Sequence, residues 1–265
     1  MSSSTPVSKG QSLSAIYSMK VYTKKALLLF FLVLAMAQYV HSQEPEPLLT
    51  PQQMPNAVRY LPAPPDTLSE AFAYDEVRYR WGKAVRRDSA RLAIAVHDAD
   101  WNINYICREF SEPFGMTLSE ERTPAIYRML YVSLITADQA GRLAKDYYHR
   151  TRPYVYYGEP TICPADEEGL RNNGSYPSGH TIEGWCAALL LSELNPDRAD
   201  TLLARGYMYG ESRVIAGYHW QSDVDAGRLV ASAALARLHD DKRFQRLMKK
   251  ARREYRRLSG KRVCE

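Results

Sequence analysis

Apolar residues recur at helical spacing along most of this 265-residue chain, and that pattern confines it to architectures in which helices bury one another. Thr123-Pro124 reads as an N-cap followed by proline at the first helical position. It opens the run Ile126, Met129, Leu130, Leu134, which leads towards Lys145. A second run, Ile182, Trp185, Cys186, Leu189 and Leu190, begins near His180. Asn195-Pro196-Asp197 breaks the chain after Leu194, and the next helix is predicted from about Ala199. Val224, Leu229, Val230, Ala233, Ala234 and Leu238 predict another helix. Strand-like alternation is scarce and hairpin signals between apolar runs are missing. The expected fold class is therefore all-α, a single-domain helical bundle.

The ends of the chain read differently. Lys20, Lys24 and Lys25 precede the apolar run Ala26 to Ala37, and Val40-His41-Ser42 follows. A run of about a dozen residues is short for a membrane span of roughly 20, so the segment reads as a secretory signal peptide, with Met19 as an alternative start. The expected division is 1–42 as N-terminal extension and signal peptide, 43–65 as a proline-rich extended lead-in, and 66–265 as the helical domain. A periplasmic or secreted protein follows. Residues 1–42 hold four lysines (Lys9, Lys20, Lys24, Lys25) and no acid, so without them the formal charge of +5 drops by four to +1. Bulk charge of that size does not draw a chain to nucleic acid. Near the C-terminus, eleven basic residues lie between Lys242 and Arg262, yet Phe244, Leu247, Met248, Ala251, Tyr255 and Leu258 keep helical spacing. They predict a docked amphipathic helix with a solvated basic face. The cluster His97-Asp98-x-Asp100 reads as a solvated helix face rather than a metal site. Four cysteines, Cys107, Cys163, Cys186 and Cys264, allow two disulfides in three connectivities, and Cys186 fits equally well as a free core residue.

Three short blocks carry the chemistry. Lys145 and Arg152 are seven apart, two helical turns, and Pro153 disfavours α geometry at Arg152, which sets that guanidinium at a helix end. Asn172-Asn173-Gly174-Ser175-Tyr176-Pro177-Ser178-Gly179-His180 is a polar loop feeding a helix start, where free N–H groups and the dipole favour an anion. Gly179 lets backbone approach a ligand, and the Ser178 hydroxyl has a proton to donate. Ser212-Arg213 is followed by His219 and Asp223, four apart, close enough for the carboxylate to orient the imidazole. His149, beside the first block, reads as structural or substrate-edge. The tyrosines flanking the motifs, among them Tyr147, Tyr148, Tyr154, Tyr156, Tyr157 and Tyr176, read mostly as packing residues, with some walling a leaving-group site.

These blocks resemble the signature of the type 2 phosphatidic acid phosphatase and vanadium haloperoxidase superfamily: Lys145, Arg152-Pro153, then Pro177-Ser178-Gly179-His180, then Ser212-Arg213, His219 and Asp223. The strings Gly174 to Thr181 and Gly217 to Asp225 are similar to the secreted bacterial class A non-specific acid phosphatases in particular. The resemblance implies an all-α bundle of that type and a two-step hydrolysis of phosphomonoesters such as nucleotides, sugar phosphates or aryl phosphates. His219 would be the nucleophile, Asp223 its orienting carboxylate and His180 the general acid and base. Lys145, Arg152, Ser178, Gly179 and Arg213 would hold the phosphoryl oxygens. It implies no metal and no cofactor, no nucleic-acid partner, no stable membrane insertion, and a possible homo-oligomer. Two other readings use the same residues: a vanadate-dependent haloperoxidase, and a non-catalytic anion-binding helical protein.

Overall fold

The structure, a computed structural model, describes residues 45–260, so the predicted signal peptide and Cys264 lie outside the described residues. Among these residues the regular structure is helical, with eight longer α-helices: α1 (Glu70–Val85), α2 (Ser89–His97), α3 (Ile103–Phe114), α4 (Pro124–Tyr148), α5 (Gly179–Leu194), α6 (Ala199–Ala216), α7 (Gln221–His239) and α8 (Lys242–Ser259). The all-α bundle expected from the periodicity is what forms. None of the described helices is long and apolar enough to cross a membrane.

Helix α5 is the axis of the bundle, packed against α4, α6 and α7. It is buried on nearly every side, so its apolar residues form no single stripe. Its contact with α6 is close because both helices are small there. A Cβ on Gly184 would lie 2.3 Å from the Tyr209 ring, and one on Gly206 would lie 2.5 Å from the Ala188 Cβ. Ile182, Cys186, Leu190 and Leu191 join Met129, Leu130, Leu134, Val230 and Leu238 in the main core. Leu229, predicted on the buried stripe of α7, is instead exposed.

The proline-rich segment packs onto the helices. Leu49, Met54, Ala57 and Leu61 are buried in the main core, and two 3₁₀ turns, Pro51–Gln53 and Ala57–Arg59, shape the path between them. Met54, Ala57 and Leu61 do fall at helical spacing, but the prolines around them oppose a continuous helix, which is why the composition suggested only an extended lead-in.

Helix α4 starts at the expected place, but Thr123 does not cap it with its side chain. Its hydroxyl is used by Ser119, accepting from the Ser119 N–H and donating to the Ser119 carbonyl. The first turn is closed from a distance: one carboxylate oxygen of Glu254, on α8, accepts from the N–H groups of Ala125 and Ile126, both at 2.9 Å. Helix α8 docks through Phe244, Met248, Ala251 and Tyr255, and its basic residues face solvent, as the amphipathic pattern predicted.

Candidate active site

The second block forms a helix start. Ser178 is the N-cap of α5, and its Oγ accepts from the N–H and the hydroxyl of Thr181. Gly179 is the first helical residue. A Cβ there would lie 2.9 Å from an Asp138 carboxylate oxygen, so any side chain at this position would have to displace that carboxylate. The Ser178 N–H donates to the Asp223 carbonyl at 3.0 Å, which ties this helix start to the third block.

His219 does not lie on a helix. It precedes α7, with Trp220 as N-cap and Asp223 in the first turn. The capping geometry brings the pair together: Asp223 Oδ2 accepts from the Trp220 N–H at 2.9 Å and from His219 Nδ1 at 3.3 Å. The other ring nitrogen, Nε2, lies 3.1 Å from Arg152 Nη1. A guanidinium can only donate, so Nε2 carries the lone pair and the imidazole proton sits on Nδ1, facing Asp223. That is the tautomer a nucleophilic imidazole needs.

His180 is oriented by the opposite nitrogen. Its Nε2 donates to the Ala99 carbonyl at 3.1 Å, which leaves Nδ1 for proton transfer. Asp98 and Ala99 also offer their carbonyls to Arg213 Nη1. The turn is fixed by the Asp98 side chain, which accepts from Arg205 and, at 2.6 Å, from the Ser212 hydroxyl. Asp98 is thus completely buried, which corrects its reading as part of a solvated face. Among the described residues no group of His, Cys, Asp and Glu is arranged to hold a metal ion.

Lys145 is in the last turn of α4 and donates to the Gly174 carbonyl at 3.0 Å. Arg152 is beyond that helix, after a left-handed turn at His149, in the extended conformation that Pro153 favours. The two therefore meet through a turn and not along one helix face. Arg152 Nε donates to the carbonyls of Leu170 and Asn173, and Nη1 to that of Tyr218. Arg213 is buried with its guanidinium 4.4 Å from the centre of the Tyr218 ring, and its Nε has no hydrogen-bond partner among the described residues. None of Lys145, Arg152 and Arg213 has a carboxylate within ion-pair distance among the described residues, whereas the buried Arg150 and Arg205 are each paired with two.

The electrostatics follow from that arrangement. Burial and the Arg152 guanidinium push the Lys145 ammonium down to about 7, and burial brings Arg152 down to about 10. Both imidazoles are held well below the usual histidine value, first by burial and then by neighbouring cations: Arg213 for His180, Arg152 and Lys145 for His219. Glu183, one turn past His180, is buried with one carboxylate oxygen unpartnered. Burial and the Asp138 charge push its carboxyl well above the ordinary range. Beside Lys145 a cleft of about 400 Å³ is lined by Asp138, Arg142, Asp146, His149, Asn172 and Asn173.

Every residue singled out in the three blocks contributes to this one region. The flanking tyrosines serve mainly as struts: Tyr154, Tyr157 and Tyr176 donate to the Glu167 carbonyl, to Glu76 and to the Pro62 carbonyl. Cys107, Cys163 and Cys186 are free thiols, with Cys186 in the core. Beyond the nearness of Arg150 to Arg152, nothing in the sequence pattern pointed to Asp75 or Arg150, and Asp98 was read only as a solvated acid. Each is one charged residue whose partners lie far off in sequence.

The PAP2 superfamily profile matches residues 127–244, the stretch that carries all three blocks. A non-specific acid phosphatase of Providencia stuartii is 45% identical over 204 residues, 77% of this chain and 82% of that protein. One from Salmonella typhimurium is 43% identical over 233 residues, 87% of this chain and 92% of the relative. The chain belongs to the class A non-specific acid phosphatases. An acid phosphatase of Zymomonas mobilis, 38% identical over 81% of each chain, extends the same relationship. As an acid phosphatase the protein is a phosphoric monoester hydrolase.

Proposed function

We propose that the protein hydrolyses phosphomonoesters at this site through a phosphohistidine. His219 Nε2 attacks phosphorus and the P–O bond to the alcohol breaks. His180, through Nδ1, gives the leaving oxygen its proton. Asp223 holds the Nδ1 proton of His219 and offsets the positive charge that builds on the ring. Water then attacks the phosphohistidine, giving its proton to His180, and inorganic phosphate leaves. Lys145, Arg152 and Arg213, with the Ser178 hydroxyl and the Gly179 N–H, bind the non-bridging oxygens.

The observation that carries this reading is the set of three cations without carboxylate partners, Arg152 and Arg213 buried and Lys145 half-buried, around an imidazole whose lone pair is defined. Leaving cations buried and unpaired is costly unless an anion joins them. A phosphate ester dianion supplies that charge where His219 Nε2 can reach it. The low pKa of His219 keeps it neutral in mild acid, and the substrate's negative charge raises His180 towards its protonated form. A bell-shaped profile with its optimum on the acid side of neutral follows. We further assign the protein to the periplasm or the medium, on the signal-like residues Lys20 to Ser42.

The test is hydrolysis of p-nitrophenyl phosphate in excess chelator, with the intact protein beside His219→Ala. Chelator-resistant turnover that disappears in the variant, with a radiolabelled acid-labile phosphoenzyme in the parent alone, is expected. Equal turnover in His219→Ala overturns the mechanism, and halide oxidation dependent on added vanadate would give the haloperoxidase reading instead.

A further inference from the structure

We infer that Arg150 and Asp75 are positioning residues for the nucleophile, acting on His219 through Asp223; the inference rests on the catalytic reading above. Arg150 Nη1 donates to Asp223 Oδ1 at 2.6 Å and to the Ser222 hydroxyl at 2.7 Å. Its Nη2 donates to Asp75 Oδ2 at 2.8 Å. Asp75, on α1, also accepts from the Ser222 N–H at 2.8 Å and from its hydroxyl at 2.6 Å. Asp75 and Asp223 are completely buried, the Arg150 side chain is 8% exposed, and its guanidinium lies 5.5 Å from the centre of the Trp220 ring.

The division of labour at Asp223 is what gives the network its use. Oδ2 faces His219 and the Trp220 N–H, and Oδ1 faces Arg150, so the carboxylate plane is held from both ends. Rotation of that plane would release the Nδ1 proton and with it the direction of the Nε2 lone pair. Charge matters as well. An unshared arginine would neutralise Asp223 and weaken its support for a positively charged ring. Asp75 takes one side of Arg150, so the group Asp75, Arg150 and Asp223 keeps a net negative charge next to His219. Arg152, one of the phosphate-binding cations, faces the other ring nitrogen of that imidazole. Asp75 offers acceptors to three donors; an asparagine has one acceptor oxygen and an NH₂ that would oppose Arg150 and Ser222.

The experiment compares Asp75→Asn, Arg150→Met and Arg150→Lys in the full chain and again in an Asp223→Asn background, with p-nitrophenyl phosphate as substrate. Circular dichroism reports folding, and competitive inhibition by inorganic phosphate reports the intact anion site. Asp75→Asn and Arg150→Met are expected to lower kcat by roughly tenfold or more while KM and the phosphate inhibition constant stay within about threefold, since a small misorientation costs reaction and not binding. Arg150→Lys should recover part of the loss. In the Asp223→Asn background the same substitutions should add little, because the residue through which they act is already impaired. Unchanged kcat, losses that add fully in that background, losses confined to KM, or unfolding of all three variants would each overturn the inference. His219→Ala separates the two readings: if it stays active the catalytic reading itself fails, whereas an inactive His219→Ala beside fully active Asp75 and Arg150 variants removes the positioning role alone.

Discussion

Gly179 is the residue whose replacement tests the anion site with the smallest chemical change. The Cβ of an alanine would meet Asp138 Oδ1 at 2.9 Å, and Lys145 Cε is 3.9 Å away. Asp138 is partly exposed and paired with Arg142, so its carboxylate has somewhere to go, and the fold should survive. Gly179→Ala is expected to keep its helical circular dichroism while kcat/KM for p-nitrophenyl phosphate falls by roughly tenfold to a hundredfold; activity within twofold of the parent would show that the backbone approach is not needed. At this scale the sequence was legible where chemistry is contiguous. Ser178, Gly179 and His180 adjoin, and His219 and Asp223 are four apart, so their cooperation could be read from spacing. Arg150 and Asp75 are 75 residues apart, and nothing local marks Asp75 as anything but one acid on an exposed-looking helix. The tautomers also had to await the structure, since they depend on Arg152 and on the Ala99 carbonyl.

At the scale of elements, periodicity located the helices but not what finishes them. Thr123-Pro124 correctly marked the start of α4, yet the acceptor for its first N–H groups is Glu254, on α8. An anionic acceptor there satisfies two orphan donors and meets the positive end of the helix dipole. Glu254→Ala should cost about 2 kcal/mol and Glu254→Gln about 1 kcal/mol, read as a lower urea midpoint at unchanged slope. A midpoint unaffected by either change would mean that water replaces the carboxylate at no cost. The lead-in shows the converse limit. Leu49, Met54, Ala57 and Leu61 are core residues, but the prolines among them limit regular structure to two short 3₁₀ turns, and the segment is held in place by the helices it packs on.

For the molecule as a whole, the proposed phosphate site trades stability for readiness. His180 and His219 take up protons less readily folded than unfolded, so stability is full above the ordinary histidine value and falls as pH drops below it. Lys145, at about 7 when folded against an ordinary 10.5, adds a loss of the same sign between those two values as pH falls. A bound dianion reverses both. Sulfate, doubly charged across this range, should raise the melting temperature more at pH 5.5 than at pH 8, and Arg213→Ala should lose most of that difference, which separates binding from a general salt effect. Equal stabilisation at both pH values would contradict the arrangement of unpaired cations. The long reach from Glu254 to Ala125, 129 residues, has a further meaning for how the protein is made. A chain emerging from the ribosome exposes α4 long before its cap exists. The helix that carries Lys145 is closed only by a segment synthesised 129 residues later, so a chain cut off between the two holds α4 without its cap.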